Sequence, residues 1–91
     1  MIMATGTIKK RNVTKTFTKS YTIAANNITR VDFDVTQSGL TPIAVVGYDS
    51  GHGSAVVTRE QIADDTTAYL GLRNLLSSSI SSTATIIIQY I

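Results

Sequence analysis

The sequence predicts an all-β protein: a single-domain antiparallel β-sandwich, jelly-roll-like, of about six to eight strands. Apolar and polar residues alternate with a two-residue period in several short runs, the pattern of strands with one buried face. Clusters of Asn, Asp, Gly, Ser and Pro separate those runs at turn spacing. No segment sustains a helical period. Residues 59–73 come nearest, but Thr66-Thr67 and the pair Asp64-Asp65 argue against a helix there.

Residues 1–12 have no clear period and read as a basic N-terminal arm, leaving 13–91 for the sandwich. The first strand starts at Val13. One face carries Phe17, Tyr21 and Ile23, which are expected to point inward, together with Lys15 and Lys19; the other carries Thr14, Thr16, Thr18, Ser20 and Thr22. A lysine in an inward row predicts a bulge or an exposed sheet edge at Lys19. Ala25-Asn26-Asn27 is a turn, since Asn tolerates positive φ. Thr29, Val31, Phe33 and Val35 then alternate with Arg30, Asp32 and Asp34, giving a strand with one wet face.

Residues 37–42 form a loop that ends in Pro42. Residues 43–48 are apolar on both faces, which reads as a central strand. Asp49 to Ser54, with two glycines, is a loop whose composition predicts the most flexible segment. Residues 55–62 and 66–73 are two further strands separated by Ala63-Asp64-Asp65. In the second, Ala68, Leu70 and Leu72 oppose Tyr69.

A Ser-rich connection leads to the last strand, residues 83–91. The final eighteen residues carry no charged side chain. One face of the last strand shows Ala84, Ile86, Ile88 and Tyr90, and the other Thr85, Ile87, Gln89 and Ile91. Both are largely apolar, so the strand is expected to be central in its sheet or at a subunit interface. Ile87, Gln89 and Ile91 are the candidate interface residues. With no gatekeeper charge, an exposed edge here would invite aggregation, which argues for assembly.

The chain has 91 residues, 43% hydrophobic and only 15% charged; fourteen Thr and nine Ser supply polarity without charge. A chain this short makes one domain with a modest core. The absence of cysteine excludes disulfides, thiolate metal sites and cysteine catalysis. The first fifteen residues lack the apolar core of a signal peptide, and no run approaches the roughly 20 apolar residues that span a bilayer, so no membrane insertion is expected. The net charge of +2 conceals an asymmetry. Lys9, Lys10, Arg11, Lys15 and Lys19 precede the first acid, whereas Arg30, Arg59 and Arg73 face six acids in the remainder. A basic arm suits nucleic acid or an acidic neighbour. Phe17 and Tyr21 are better explained as core than as base-stacking platforms, which makes nucleic acid the less favoured partner.

No constellation points to catalysis, and no cofactor or metal is implied. His52 is the only histidine, and Asp49 is its only nearby metal-capable partner. Asp32 and Asp34 lie roughly 6.6–6.8 Å apart on one strand face, a spacing open to glycoside hydrolysis, but their alternation with Val31, Phe33 and Val35 favours a solvated face. Asp64-Asp65 lacks the spacing of a calcium loop. Gly51-His52-Gly53 lacks the further glycine and the lysine of a phosphate loop. The best ligand-binding set is Tyr48, Asp49, Ser50, His52 and Ser54, an aromatic ring with short polar groups that could hold a sugar, although the chain has no Trp.

Four segments, Ala4-Thr5-Gly6-Thr7-Ile8-Lys9-Lys10, Pro42-Ile43-Ala44-Val45-Val46-Gly47, Arg73-Asn74 and Thr85-Ile86-Ile87-Ile88-Gln89-Tyr90, follow one another in an order that resembles small proteins from the tail modules of phages and prophages of Gram-positive bacteria. The resemblance spans nearly the whole chain and is one of strand pattern, without shared active-site residues. It implies a non-enzymatic virion or tail-tip protein with a β-sandwich head, often a homotrimer, that contacts other tail proteins and in some cases host-surface glycans. The implied location is the virion tail, or the host bacterial cytoplasm before assembly. The alternatives are a stand-alone carbohydrate-binding module using the loop from Tyr48 to Ser54, and a small nucleic-acid-binding β-barrel using the arm.

Overall fold

The computed structural model describes residues 13–91; the basic arm, with Lys9, Lys10 and Arg11, lies outside the described residues. Six strands form: β1 (Val13–Ile23), β2 (Ile28–Asp34), β3 (Pro42–Asp49), β4 (Ala55–Ile62), β5 (Thr67–Asn74) and β6 (Ile80–Tyr90). They make two three-stranded sheets, ordered β1-β6-β3 and β2-β5-β4, and every pairing is antiparallel. The first strand pairs with the last and the second with the fifth, while β3 and β4 take the far flanks. This is jelly-roll wrapping reduced to six strands. The result is an open sandwich of two sheets, so the closed barrel of the nucleic-acid alternative is not formed.

The core lies between the sheets. β6 contributes Ile80, Ala84, Ile86, Ile88 and Tyr90 from alternate positions, all buried. β5 adds Ala68, Leu70 and Leu72; β2 adds Val31 and Phe33; β1 adds Tyr21 and Ile23, with Phe17 packed at the margin. Each fully buried Ile or Leu is worth about 1.5–3 kcal/mol over its exposed state. Two tyrosines reach carbonyls in the interior. Tyr21 Oη donates to the Ser50 carbonyl at 2.5 Å and Tyr90 Oη to the Val35 carbonyl at 2.6 Å.

β6 is the central strand of the first sheet, with both backbone edges paired. The uncharged tail is therefore accommodated inside one domain. The edge-exposure argument for assembly falls away, and only the outward row of β6 remains as a possible contact surface.

One two-way expectation is resolved, at Lys19, and another changes, at β3. β1 keeps an unbroken register from Val13↔Tyr90 to Ile23↔Ile80, so there is no bulge at Lys19. The strand is instead a sheet edge, where Lys15 and Lys19 stay exposed and discourage strand addition. β3 is not central but the opposite edge, with register shifts between Pro42 and Ala44 and between Val45 and Gly47. The residues at these shifts, Ile43 and Val46, are 49% and 52% exposed. A bulge breaks the two-residue alternation, so an apolar run through it does not mean two buried faces.

Asn26 takes the positive φ its type allows, 60°, in the turn between β1 and β2. That turn is pinned by Asn74, which is fully buried at the end of β5. Its Nδ2 donates to the carbonyls of Ile23, Ala24 and Ser78, and its Oδ1 accepts from Leu76 N.

Candidate functional site

β3 ends at the sequence-predicted ligand loop, which borders an open depression of about 680 Å³ lined by Tyr48, Asp49, Ser50, Gly51, His52, Gly53, Ala55 and Val57. The structure brings Tyr48, Asp49, Ser50 and His52 together around it; Ser54 follows at the base of β4 and is not among the lining residues. Tyr48 presents a half-exposed ring.

Most of the polar groups in the loop hold the loop itself. Asp49 Oδ1 accepts from Gly51 N at 2.7 Å. Ser50 is buried; its Oγ donates to the His52 carbonyl and accepts from His52 N. His52 Nδ1 accepts from Ser54 N at 3.0 Å, which assigns the ring proton to Nε2 in the neutral form. Ser82 Oγ donates to the Gly51 carbonyl, tying the loop to β6. Gly51 adopts φ +80°, and a Cβ there would strike the Thr83 carbonyl oxygen. The composition predicts flexibility, but this bonding fixes the loop.

The bonding also decides the chemistry. The N–H groups of Gly51, His52 and Ser54 are all spent on side chains, so these three are not free to cradle an anion. Among the described residues, His52 is oriented by Ser54 N on its Nδ1 rather than by a carboxylate. The Tyr48 ring, the second oxygen of Asp49 and His52 Nε2 remain to meet a ligand.

The other acidic candidates are occupied as well. Asp32 pairs with Arg30 at 2.6 Å. Asp34 Oδ1 accepts from Thr36 N and Oγ1, and these bonds, the hydroxyl first, hold its carboxyl below the usual carboxylate range. Asp64 Oδ1 accepts from Thr66 N, Thr66 Oγ1 and Thr67 N, which braces the β4–β5 turn. Among the described residues, no three His, Asp or Glu side chains gather as a metal site.

The proposed contact row lies on the outer face of the first sheet. Ile87 and Gln89 are half-buried there, and Ile91 is 39% exposed. Ile87 packs over Gly47, whose missing side chain makes the room: a Cβ there would lie 3.0 Å from Ile87 Cδ1. Register places Thr14, Thr16, Thr18, Ser20 and Thr22 of β1 beside Gln89, Ile87, Thr85, Thr83 and Ser81. Ala44, Gly47 and Asp49 flank the same β6 row on the other side. Asp49 is the only charged residue in these three rows.

The outer face of the second sheet holds a cluster that sequence reasoning missed. Arg30 stacks on the Tyr69 ring at 3.8 Å, and the Arg59 guanidinium lies 5.8 Å from the same ring. The alternation in each strand could have placed these residues outward, but nothing local brings three strands together. No family model, curated protein or solved structure matches this chain.

Proposed function

We propose that the chain is a non-enzymatic structural or adhesive protein of a phage or prophage tail that self-associates, with the trimer as the favoured assembly. The observation that carries this reading is the outer face of the first sheet, nearly free of charge, with Ile87 on β6, Ile91 just after it, and Ile43 and Val46 exposed at the register shifts of the neighbouring β3. A sheet face with so little charge is well suited to lie against another sheet. The segment order shared with small tail-module proteins supports the same class, and their heads supply the trimer and the contact with other tail proteins. Sedimentation equilibrium at micromolar concentration tests it. An oligomer that Ile87→Lys converts to monomer is the expected result, and a strictly monomeric wild type overturns it.

A second reading, binding of a neutral host-surface glycan, rests on the half-exposed Tyr48 ring beside Asp49 and His52 over the open depression. A glycan array probes it, with Tyr48→Ala as the control expected to lose the signal. An array without any hit removes this reading and leaves the assembly reading untouched.

A further inference from the structure

Among the described residues, the three arginines, Arg30 on β2, Arg59 on β4 and Arg73 on β5, all lie on the outer face of the second sheet. Arg30 and Arg59 face each other across Gly71, with which both are in register. Between them is a hollow of about 330 Å³ lined by Ile28, Thr29, Arg30, Thr58, Arg59, Tyr69 and Gly71. We propose that this hollow binds an anionic saccharide unit: one sugar-sized body bearing a carboxylate or a phosphate.

Three features of the chain combine to form it. Gly71 sits inside the central strand of its sheet, where glycine costs about 0.5–1 kcal/mol relative to alanine. A Cβ at this position would come within 3.0 Å of Thr58 Oγ1 and 3.3 Å of Arg59 Cβ, so the missing side chain is what leaves the space open. β4 shifts register between Val57 and Arg59, and that irregularity at Thr58 sets Arg59 opposite Gly71. Tyr69 is 7% exposed although it points outward, because Arg30 lies across its ring.

The charges suit an anion. Asp32 engages only Nε of Arg30, at 2.6 Å, which fixes the guanidinium plane and leaves its terminal N–H groups to donate. That is the only ion pair among the described residues, so Arg59 and Arg73 have no acidic partner. Two guanidinium groups around one ring offer the forked donors that match carboxylate or phosphate oxygens. A group already held in place loses less freedom on binding. The rim supplies contacts for the ligand body: Thr58 offers a hydroxyl, and Ile28, 63% exposed, offers apolar surface. The hollow lies on the opposite sheet from the Tyr48 loop, and the inference goes beyond the assembly reading, since a monomer would carry the site equally.

The test is a titration of the isotopically labelled full chain at low salt, followed by amide chemical shifts, with glucuronate, glucose 1-phosphate, neutral glucose and inorganic phosphate as probes. Shifts centred on Thr58, Arg59 and Gly71 are expected. Glucuronate or glucose 1-phosphate should bind at least tenfold more tightly than glucose or inorganic phosphate. Arg59→Gln and Gly71→Ala should each weaken binding at least tenfold, the first by removing a donor and the second by filling the hollow; His52→Ala should leave it unchanged. Thermal melts establish that each variant is folded, and Arg59, exposed on an edge strand, tolerates the change. Equal binding of glucose overturns the role of charge, and equal binding of inorganic phosphate overturns the saccharide. Undiminished binding by Arg59→Gln, or shifts confined to residues 48–54, overturns the site.

Discussion

Replacing Asn74 with alanine should cost far more than a typical polar substitution. Its Nδ2 has two protons and meets three carbonyls, those of Ile23 at 3.0 Å, Ala24 at 3.2 Å and Ser78 at 2.8 Å, while Oδ1 takes Leu76 N at 2.7 Å. Ala24 and Ser78 are exposed residues, and their carbonyls can turn to water in the variant. Ile23 is buried and Leu76 half-buried, so their backbone groups are left without a partner. Each such group costs about 1–3 kcal/mol, so the two together set the loss at about 2–6 kcal/mol, centred on about 4 kcal/mol. A domain of this length has only about 5–14 kcal/mol in total. Urea unfolding followed by circular dichroism measures the loss directly, and for a loss of about 4 kcal/mol the melting temperature should drop by roughly 16–32 °C. Asn74→Asp keeps the acceptor for Leu76 but sets a carboxylate against three carbonyls. It should be worse than alanine at pH 7 and recover partly in mild acid, where the carboxyl regains a proton to donate. A loss below about 1 kcal/mol for Asn74→Ala would refute the view that this side chain holds the β1–β2 turn to the β5–β6 connection.

Other substitutions and conditions separate the roles of neighbouring groups. Ile86→Lys or Ile88→Lys, at positions with no exposure, should leave the chain unfolded by circular dichroism, whereas Ile87→Lys should remain folded and change only the solution mass. Gly51→Ala combines a φ of +80° with a collision against the Thr83 carbonyl and should lower urea stability by more than about 1 kcal/mol. For pH, Thr36 and Thr66 hold Asp34 and Asp64 below the usual 3.8, so their stabilisation is complete above that value and is lost as pH falls through the lowered folded pKa values. Burial pushes Tyr21 and Tyr90 above the usual 10.0, so their stabilisation is complete below that value and is lost as pH rises through the raised ones. Stability measured by urea should therefore be flat with respect to these four groups between about pH 4 and pH 10 and decline on either side.

The strands were legible because their alternation survives in the fold. Val31 and Phe33 face the core while Arg30, Asp32 and Asp34 face out, as the sequence pattern requires. Within β6, both candidate faces look apolar in sequence, yet only Ile86, Ile88 and their row are fully buried. The apolar, uncharged run made the central place of the strand legible; that its two neighbours are β1 and β3 is what no local signal reports. β3 misled because Ile43 and Val46 sit at irregularities that shift the pattern by one residue. The loop from Asp49 to Ser54 looked flexible because composition counts polar groups without showing that they bond to one another. The Arg30–Tyr69–Arg59 cluster was invisible for the opposite reason: each member is an ordinary outward residue, and only strand pairing makes them neighbours.

Jelly-roll wrapping also constrains the order in which this protein can fold. The β4–β5 hairpin is local and closes through Ala63 N to the Thr67 carbonyl, so it can form as soon as it is made. The first sheet has no such start. β1 and β3 do not pair with each other, and each waits for β6 to lie between them. During vectorial synthesis, the inner edges of both strands stay open until residues 80–90 emerge. Val13 finds its partner only when Tyr90 arrives, and loop closure over such a separation is slow, in the millisecond-to-second range typical of non-local β-sheets. The lysines on the outer edge of β1 then have a second value: they keep an incomplete nascent chain from pairing with its neighbours while its own last strand is still being made.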